Sequence, residues 1–220
     1  MYQTGHMYLP AHFTITEQGE IENLLKNLGA ADLVTRTNEG LTSTFLPLLY
    51  SPSADHLGSL HGHVARANSQ WNSTVDPEVL VIAHIIDGYI SPNGYPSKAE
   101  NPKAVPTWNY VTLNIHGKLI VHDDPEWTLG LVRRLTDHHE ANHAIGRSQE
   151  PWSVDDAPAD YINTMVKAIV GLEIVIDRIE AKAKLSQNKS ESDAFGAASD
   201  LEHGSFPETQ LAQAIRSTRK

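Results

Sequence analysis

Val79-Leu80-Val81-Ile82-Ala83-His84-Ile85-Ile86-Asp87-Gly88-Tyr89-Ile90 is the stretch on which the reading of this 220-residue chain turns. Seven of its first eight residues are apolar and most of them are β-branched, which favours a strand. The run falls short of the ~20 residues that cross a bilayer. Its nearly unbroken hydrophobicity predicts a strand over Val79–Ile90 that is buried on both faces.

Further elements extend from it in both directions. Upstream, Leu57–Ala65 reads as a strand. Ala31–Thr37 and Thr42–Tyr50 read as a strand pair turned at Asn38-Glu39-Gly40. Glu17–Leu28 places Ile21, Leu24, Leu25 and Leu28 at helical spacing, with Gly29 as terminator. Downstream, Asn109–Val121 is a strand with a bend expected near His116-Gly117. Glu126–Asn142 and Pro158–Ala168 are helices, and Val170–Ile179 is a closing strand. Consecutive strands joined by short turns define a mainly β chain with peripheral helices, an antiparallel barrel or sheet. Gly-x-Gly-x-x-Gly is absent, so a dinucleotide-binding βαβ unit is not indicated.

Composition narrows the function classes. Apolar residues make up 40% and charged residues 20%, which suits a globular chain. With no cysteine, disulfides, thiolate zinc sites and Cys nucleophiles are excluded. The net charge of −10 disfavours broad nucleic-acid binding, so direct DNA contact has no support from charge. No membrane association is expected, and the cytoplasm is the default location. Residues 1–6 read as an N-terminal extension. Residues 188–220, rich in Ser, Asn, Asp and Glu, read as a polar tail with a short helix at Glu208–Arg216.

Three motifs carry the chemistry: Gly62-His63-Val64-Ala65-Arg66-Ala67-Asn68, Tyr89-Ile90-Ser91-Pro92 and Val105-Pro106-Thr107-Trp108-Asn109-Tyr110. Each lies at or beside a strand end and joins a ring or cation to hydroxyls and amides. Together they suit a phosphorylated aromatic ligand such as flavin mononucleotide. Arg66 offers a bidentate guanidinium for phosphate, or a surface ion pair. Lys98, following Tyr95-Pro96-Ser97, is a second cation, or a solvated loop lysine. Ser91 and Thr107 offer hydroxyls to a phosphate or a ring carbonyl, or else cap their own turns. Trp108 and Tyr110 share one strand face, where Trp108 either stacks on a ring or packs the core.

These residues resemble the PaiB family of FMN-binding negative transcriptional regulators. The match runs from Met7-Tyr8-Leu9-Pro10-Ala11-His12-Phe13 to about Asp193. It includes Leu46-Pro47-Leu48-Leu49, Gly62–Trp71, Tyr89–Lys98, Val105–Tyr110, Pro151-Trp152, Ile169-Val170-Gly171 and Lys184-Leu185-Ser186-Gln187-Asn188. The resemblance implies a split β-barrel over residues 7–187 with a helical insert at about 125–168. It implies a homodimer with FMN in the groove between subunits, and repression of transcription. It assigns cofactor contact to His63, Arg66, Ser91, Tyr95, Lys98, Thr107, Trp108, Lys184, Ser186 and Gln187. The last three close the site from the partner subunit. The chain departs from the family pattern at Ser69, Asn93-Gly94, Asn114 and Ala181; the second change removes a tryptophan able to stack on a ring. A flavin-dependent oxidoreductase and a haem-binding split barrel are the alternatives.

His139-Glu140-Ala141-Asn142-His143 matches a zinc-binding helix motif. The third-ligand position falls on Gln149, a poor ligand, and no metal site is assigned. Asp123-Asp124 and Asp155-Asp156 precede helix starts and read as caps rather than catalytic pairs.

Overall fold

The computed structural model describes residues 6–219. Of the expected extension, residues 1–5 lie outside the described residues, and His6 sits 2.7 Å from the Glu180 carboxylate. A 3-10 turn at Ala11–Phe13 leads to α1 (Gln18–Lys26), β1 (Ala30–Thr37), β2 (Gly40–Pro47), β3 (Leu49–Ser51) and β4 (Ser59–Ala65). Then follow α2 (Gln70–Ser73), β5 (Glu78–Ile90), two 3-10 turns at Pro92–Gly94 and Pro96–Ala99, and β6 (Thr107–His122). The chain continues through α3 (Pro125–Ala144), α4 (Ala159–Lys167), β7 (Ile169–Lys184), α5 (Glu191–Leu201) and α6 (Phe206–Ser217). The seven strands form one antiparallel sheet ordered β2-β1-β5-β6-β7-β4-β3, an open, split-barrel arrangement.

Two compact units share the three long strands. One comprises residues 6–24, 83–114 and 179–219; the other comprises 25–82 and 115–178. The second unit holds the hairpin of β1 and β2, in register from Ala30↔Pro47 to Thr37↔Gly40. It also holds the β4–β7 ladder from Ser59↔Val175 to Ala65↔Ile169. Leu33, Leu60, Val81, Leu131, Leu172 and Ile174 are buried in it. Gln70 is buried among polar partners there. Its amide nitrogen donates to the Leu33 carbonyl at 2.9 Å and the Thr35 hydroxyl at 3.0 Å, so a polar side chain is held without loss. Asp124 caps α3 by accepting from the Glu126 amide at 2.9 Å, as the sequence predicts, whereas Asp156 forms a capping box with Ser153 in the 3-10 turn at Val154–Asp156 and α4 has no side-chain cap.

In the first unit, Ile90, Leu113, Leu211 and Ile215 are fully buried. Two of the predicted features are altered here. The Val79–Ile90 strand exists, but its burial alternates: Val79, Val81 and Ala83 are buried, whereas Ile85 and Tyr89 are exposed. Of the expected polar tail, residues 188–219 are described and are not a loose segment. They carry α5 and α6, which bury Ala194, Ala197, Ala198, Leu201, Leu211, Ala212 and Ile215. The expected short helix at Glu208–Arg216 falls inside α6. No described helix is long and apolar enough to cross a membrane.

Candidate functional site

In the first unit, strand alternation brings rings and cations to one face. Trp108 and Tyr110 follow each other on β6, as do Lys182 and Lys184 on β7. The Lys184 ammonium donates to the Thr107 hydroxyl and, at 2.6 Å, to the Trp108 carbonyl. It lies 5.9 Å from the Tyr110 ring centroid. The Lys182 ammonium donates to the Tyr8 carbonyl at 2.9 Å and lies 5.5 Å from the rings of both Tyr8 and Tyr110. Tyr89 meets Trp108 edge-on at 6.3 Å. These rings are open: Tyr8 is 81% exposed, Trp108 54% and Tyr89 51%. Trp108 is therefore no core residue, and its ring is free to stack.

The loop after β5 belongs to the same unit. Ser91 accepts from the Asn93 amide at 3.2 Å, so its hydroxyl caps a turn. The Lys98 ammonium donates to the Asn93 amide oxygen at 2.5 Å, a neutral partner. Asn93, which departs from the family pattern, thus has a local use. Tyr95 is buried beneath the Lys189 ammonium, 5.0 Å from its ring, and its hydroxyl has no hydrogen-bond partner among the described residues. Burial, followed by the charge of Asp193, raises the Tyr95 phenol above its ordinary value. Ser186 is buried with φ of +66°, and its hydroxyl accepts from the Asn109 amide at 2.8 Å. Gln187 folds back on its own strand end, accepting from the Leu185 amide and donating to the Ala183 carbonyl, each at 2.7 Å.

His63 and Arg66 belong to the second unit. The Arg66 guanidinium pairs bidentately with Asp123 at 2.6 and 3.2 Å and donates to the Lys167 and Ile169 carbonyls. The arginine is held in an exposed ion pair, the plainer of the two readings its sequence allows. His63 is partly buried, its Nδ1 has no partner among the described residues, and desolvation lowers its pKa.

His63 has a neighbour that sequence reading did not single out. His61 shares its β4 face and stands opposite Glu173 of β7. Glu173 lies 2.8 Å from His122 Nε2 and 3.5 Å from His61 Nε2. The His122 ring stacks on Trp127 at 3.8 Å. Burial lowers the His61 pKa from 6.5, outweighing the carboxylate beside it. Burial raises the Glu173 carboxyl, but hydrogen bonds from His122 and Ser59 and the nearby imidazoles hold it below 4.5. Both shifts act in the same direction. A histidine whose folded value is depressed resists protonation, so stability is lost as pH falls below its unfolded value of 6.5. A carboxylate whose folded value is depressed loses its contribution as pH falls from 4.5 towards that value. The thermal midpoint will therefore fall on acidification, with the His61 part beginning below pH 6.5. His61→Gln will flatten the upper part of that curve in a pH-resolved melting series. An unchanged slope in the variant would exclude His61 as the source.

The zinc-like helix motif is used locally. Glu140 accepts from the Trp152 amide at 3.0 Å, and His143 contacts Arg147. Among the described residues, no three His, Cys, Asp or Glu side chains are grouped to hold a metal ion.

Comparison with known proteins agrees with this architecture. The family described as "Putative FMN-binding domain" matches residues 7–178, and the chain belongs to it. The Bacillus subtilis protein named Protease synthase and sporulation protein PAI 2 is 29% identical over 97% of this chain and 99% of its own length. An uncharacterised Emericella nidulans protein is 31% identical over 66% of this chain and 67% of its own. Among solved structures, the flavocytochrome Anf3 of Azotobacter vinelandii is similar, with a TM-score of 0.53 and 12% identity. It covers 78% of this chain and 69% of its own. The FAD and heme binding protein of Mycobacterium smegmatis has a TM-score of 0.53 and 13% identity, with coverage of 78% and 73%. At such identities these two speak for the fold alone.

Proposed function

We propose that this chain binds FMN as a homodimer and regulates transcription through it. The observation that carries the reading is the exposed aromatic face of Tyr8, Tyr89 and Trp108 in a member of an FMN-binding family. A ring system laid there gains stacking on Trp108, and a second subunit covers aromatic surface that one chain leaves in water. The regulatory part of the reading follows from the sequence resemblance to FMN-binding negative transcriptional regulators, and the chain aligns end to end with the Bacillus subtilis protein. With a net charge of −10, regulation works by a flavin-dependent shift between dimer states rather than by broad contact with the DNA backbone.

The test is a flavin fluorescence titration of the purified protein, with sedimentation velocity run with and without FMN. Saturable binding at about micromolar Kd or tighter, one flavin per protomer and a dimeric species are expected. A monomer that leaves FMN fluorescence unchanged would overturn the reading. Sustained NAD(P)H oxidation dependent on added FMN would replace regulation with oxidoreductase activity.

A further inference from the structure

We infer that Lys182, together with Lys184, anchors the phosphate of the bound flavin mononucleotide; this rests on the FMN reading above. The sequence points to Arg66 for that task, but its guanidinium is paired with Asp123. Lys182 and Lys184 are placed differently. Both ammoniums lie within 6 Å of the single Tyr110 ring, at 5.5 and 5.9 Å. Their oxygen partners are neutral: the Tyr8 carbonyl, the Thr107 hydroxyl and the Trp108 carbonyl. Among the described residues neither has a carboxylate partner. Glu180, two positions earlier on β7, is turned to His6 and the Met7 amide at 2.7 and 3.0 Å.

Lys182 is only 8% exposed. Burying a lysine without a counter-charge is costly, and placing a second one beside the same ring adds repulsion. A dianionic phosphate relieves both at once, and the Thr107 hydroxyl adds a hydrogen bond. Exposed Trp108, whose carbonyl holds Lys184, puts a stacking surface next to the anion site. Cations for a phosphate and an exposed ring on the same face suit a phosphorylated aromatic ligand.

The experiment compares FMN with riboflavin, which lacks the phosphate, by fluorescence titration of the wild type, Lys182→Met, Lys184→Met and Lys182→Arg. Arg133→Gln, which breaks an exposed pair with Asp155, serves as control. Each Met variant is expected to weaken FMN by about tenfold or more while changing riboflavin less than about twofold. Lys182→Arg should keep most of the FMN preference. If buried Lys182→Met does not fold, Lys184→Met carries the test alone, with circular dichroism confirming its fold. Met variants that keep the wild-type ratio of FMN to riboflavin affinity, or lose both ligands equally, overturn this assignment and leave the FMN reading standing. A wild-type protein that binds no FMN overturns both.

Discussion

Gly117→Val will lower the thermal midpoint by roughly 6–12 °C, since ~3 kcal/mol of overpacking shifts a chain of this size by about 2–4 °C per kcal/mol. A Cβ on Gly117 would stand 2.3 Å from the Val175 carbonyl oxygen and 2.9 Å from the Ile174 side chain. The first is backbone of β7 and cannot rotate away as a side-chain tip can. Relief requires parting β6 from β7, where Ile115, Leu172 and Ile174 are fully buried. The contrast is Gly19→Ala in α1, where an added Cβ meets nothing within 4 Å. That change will hold stability or raise it by up to ~1 kcal/mol through helix propensity. Differential scanning fluorimetry on both proteins decides the matter. A Gly117→Val protein melting with the wild type would mean the two strands are not in such close contact.

The same glycine shows how far the sequence could be read. His116-Gly117 signals a break in an otherwise regular strand run, and a bend was the natural reading. What the sequence does not display is the neighbour, because the close approach involves backbone more than fifty residues away. The Val79–Ile90 strand follows the same logic. Val, Ile and Leu report strand propensity, but an apolar side chain carries no mark of whether its face is covered. Ile85 and Tyr89 look outward although the run is apolar throughout. The site residues divide in a similar way. Arg66 and Ser91 are recognisable as polar groups at strand ends, yet their partners Asp123 and the Asn93 amide come from folding. Lys182 is not legible as a site residue in the sequence, because an alternating Glu-Ala-Lys-Ala-Lys pattern reads as the end of a strand, not as two cations around one ring.

A chain ending at Gln187 will lose solubility, and Leu211→Ala will cost ~2–5 kcal/mol, the range for emptying a fully buried leucine site. A loose polar tail would predict no effect from either. The low hydropathy of residues 188–220 misleads because their helices pack through alanine. Gly196 lies so close to Gly94 that a Cβ on it would meet the Gly94 carbonyl oxygen at 2.0 Å. Small residues give close backbone approach with little hydrophobic signature. Polar clasps add to the packing. Asp193 accepts from the Ser97 amide at 3.0 Å and the Ser97 hydroxyl at 2.8 Å. Arg219 donates to the Ser186 carbonyl at 2.7 Å and the Lys189 carbonyl at 3.0 Å. Removing α5 and α6 therefore uncovers Gly88 and Tyr95 and frees the loop that carries Lys98. The truncated protein should bind a hydrophobic dye and expose the 92–99 loop to protease, while Leu211→Ala should show a lowered midpoint with the loop still protected. A truncated chain that melts at the wild-type temperature, with its loop resistant to cleavage, would show that the helices are a passenger. Dye binding with a cut in that loop would show that they hold the candidate site in shape.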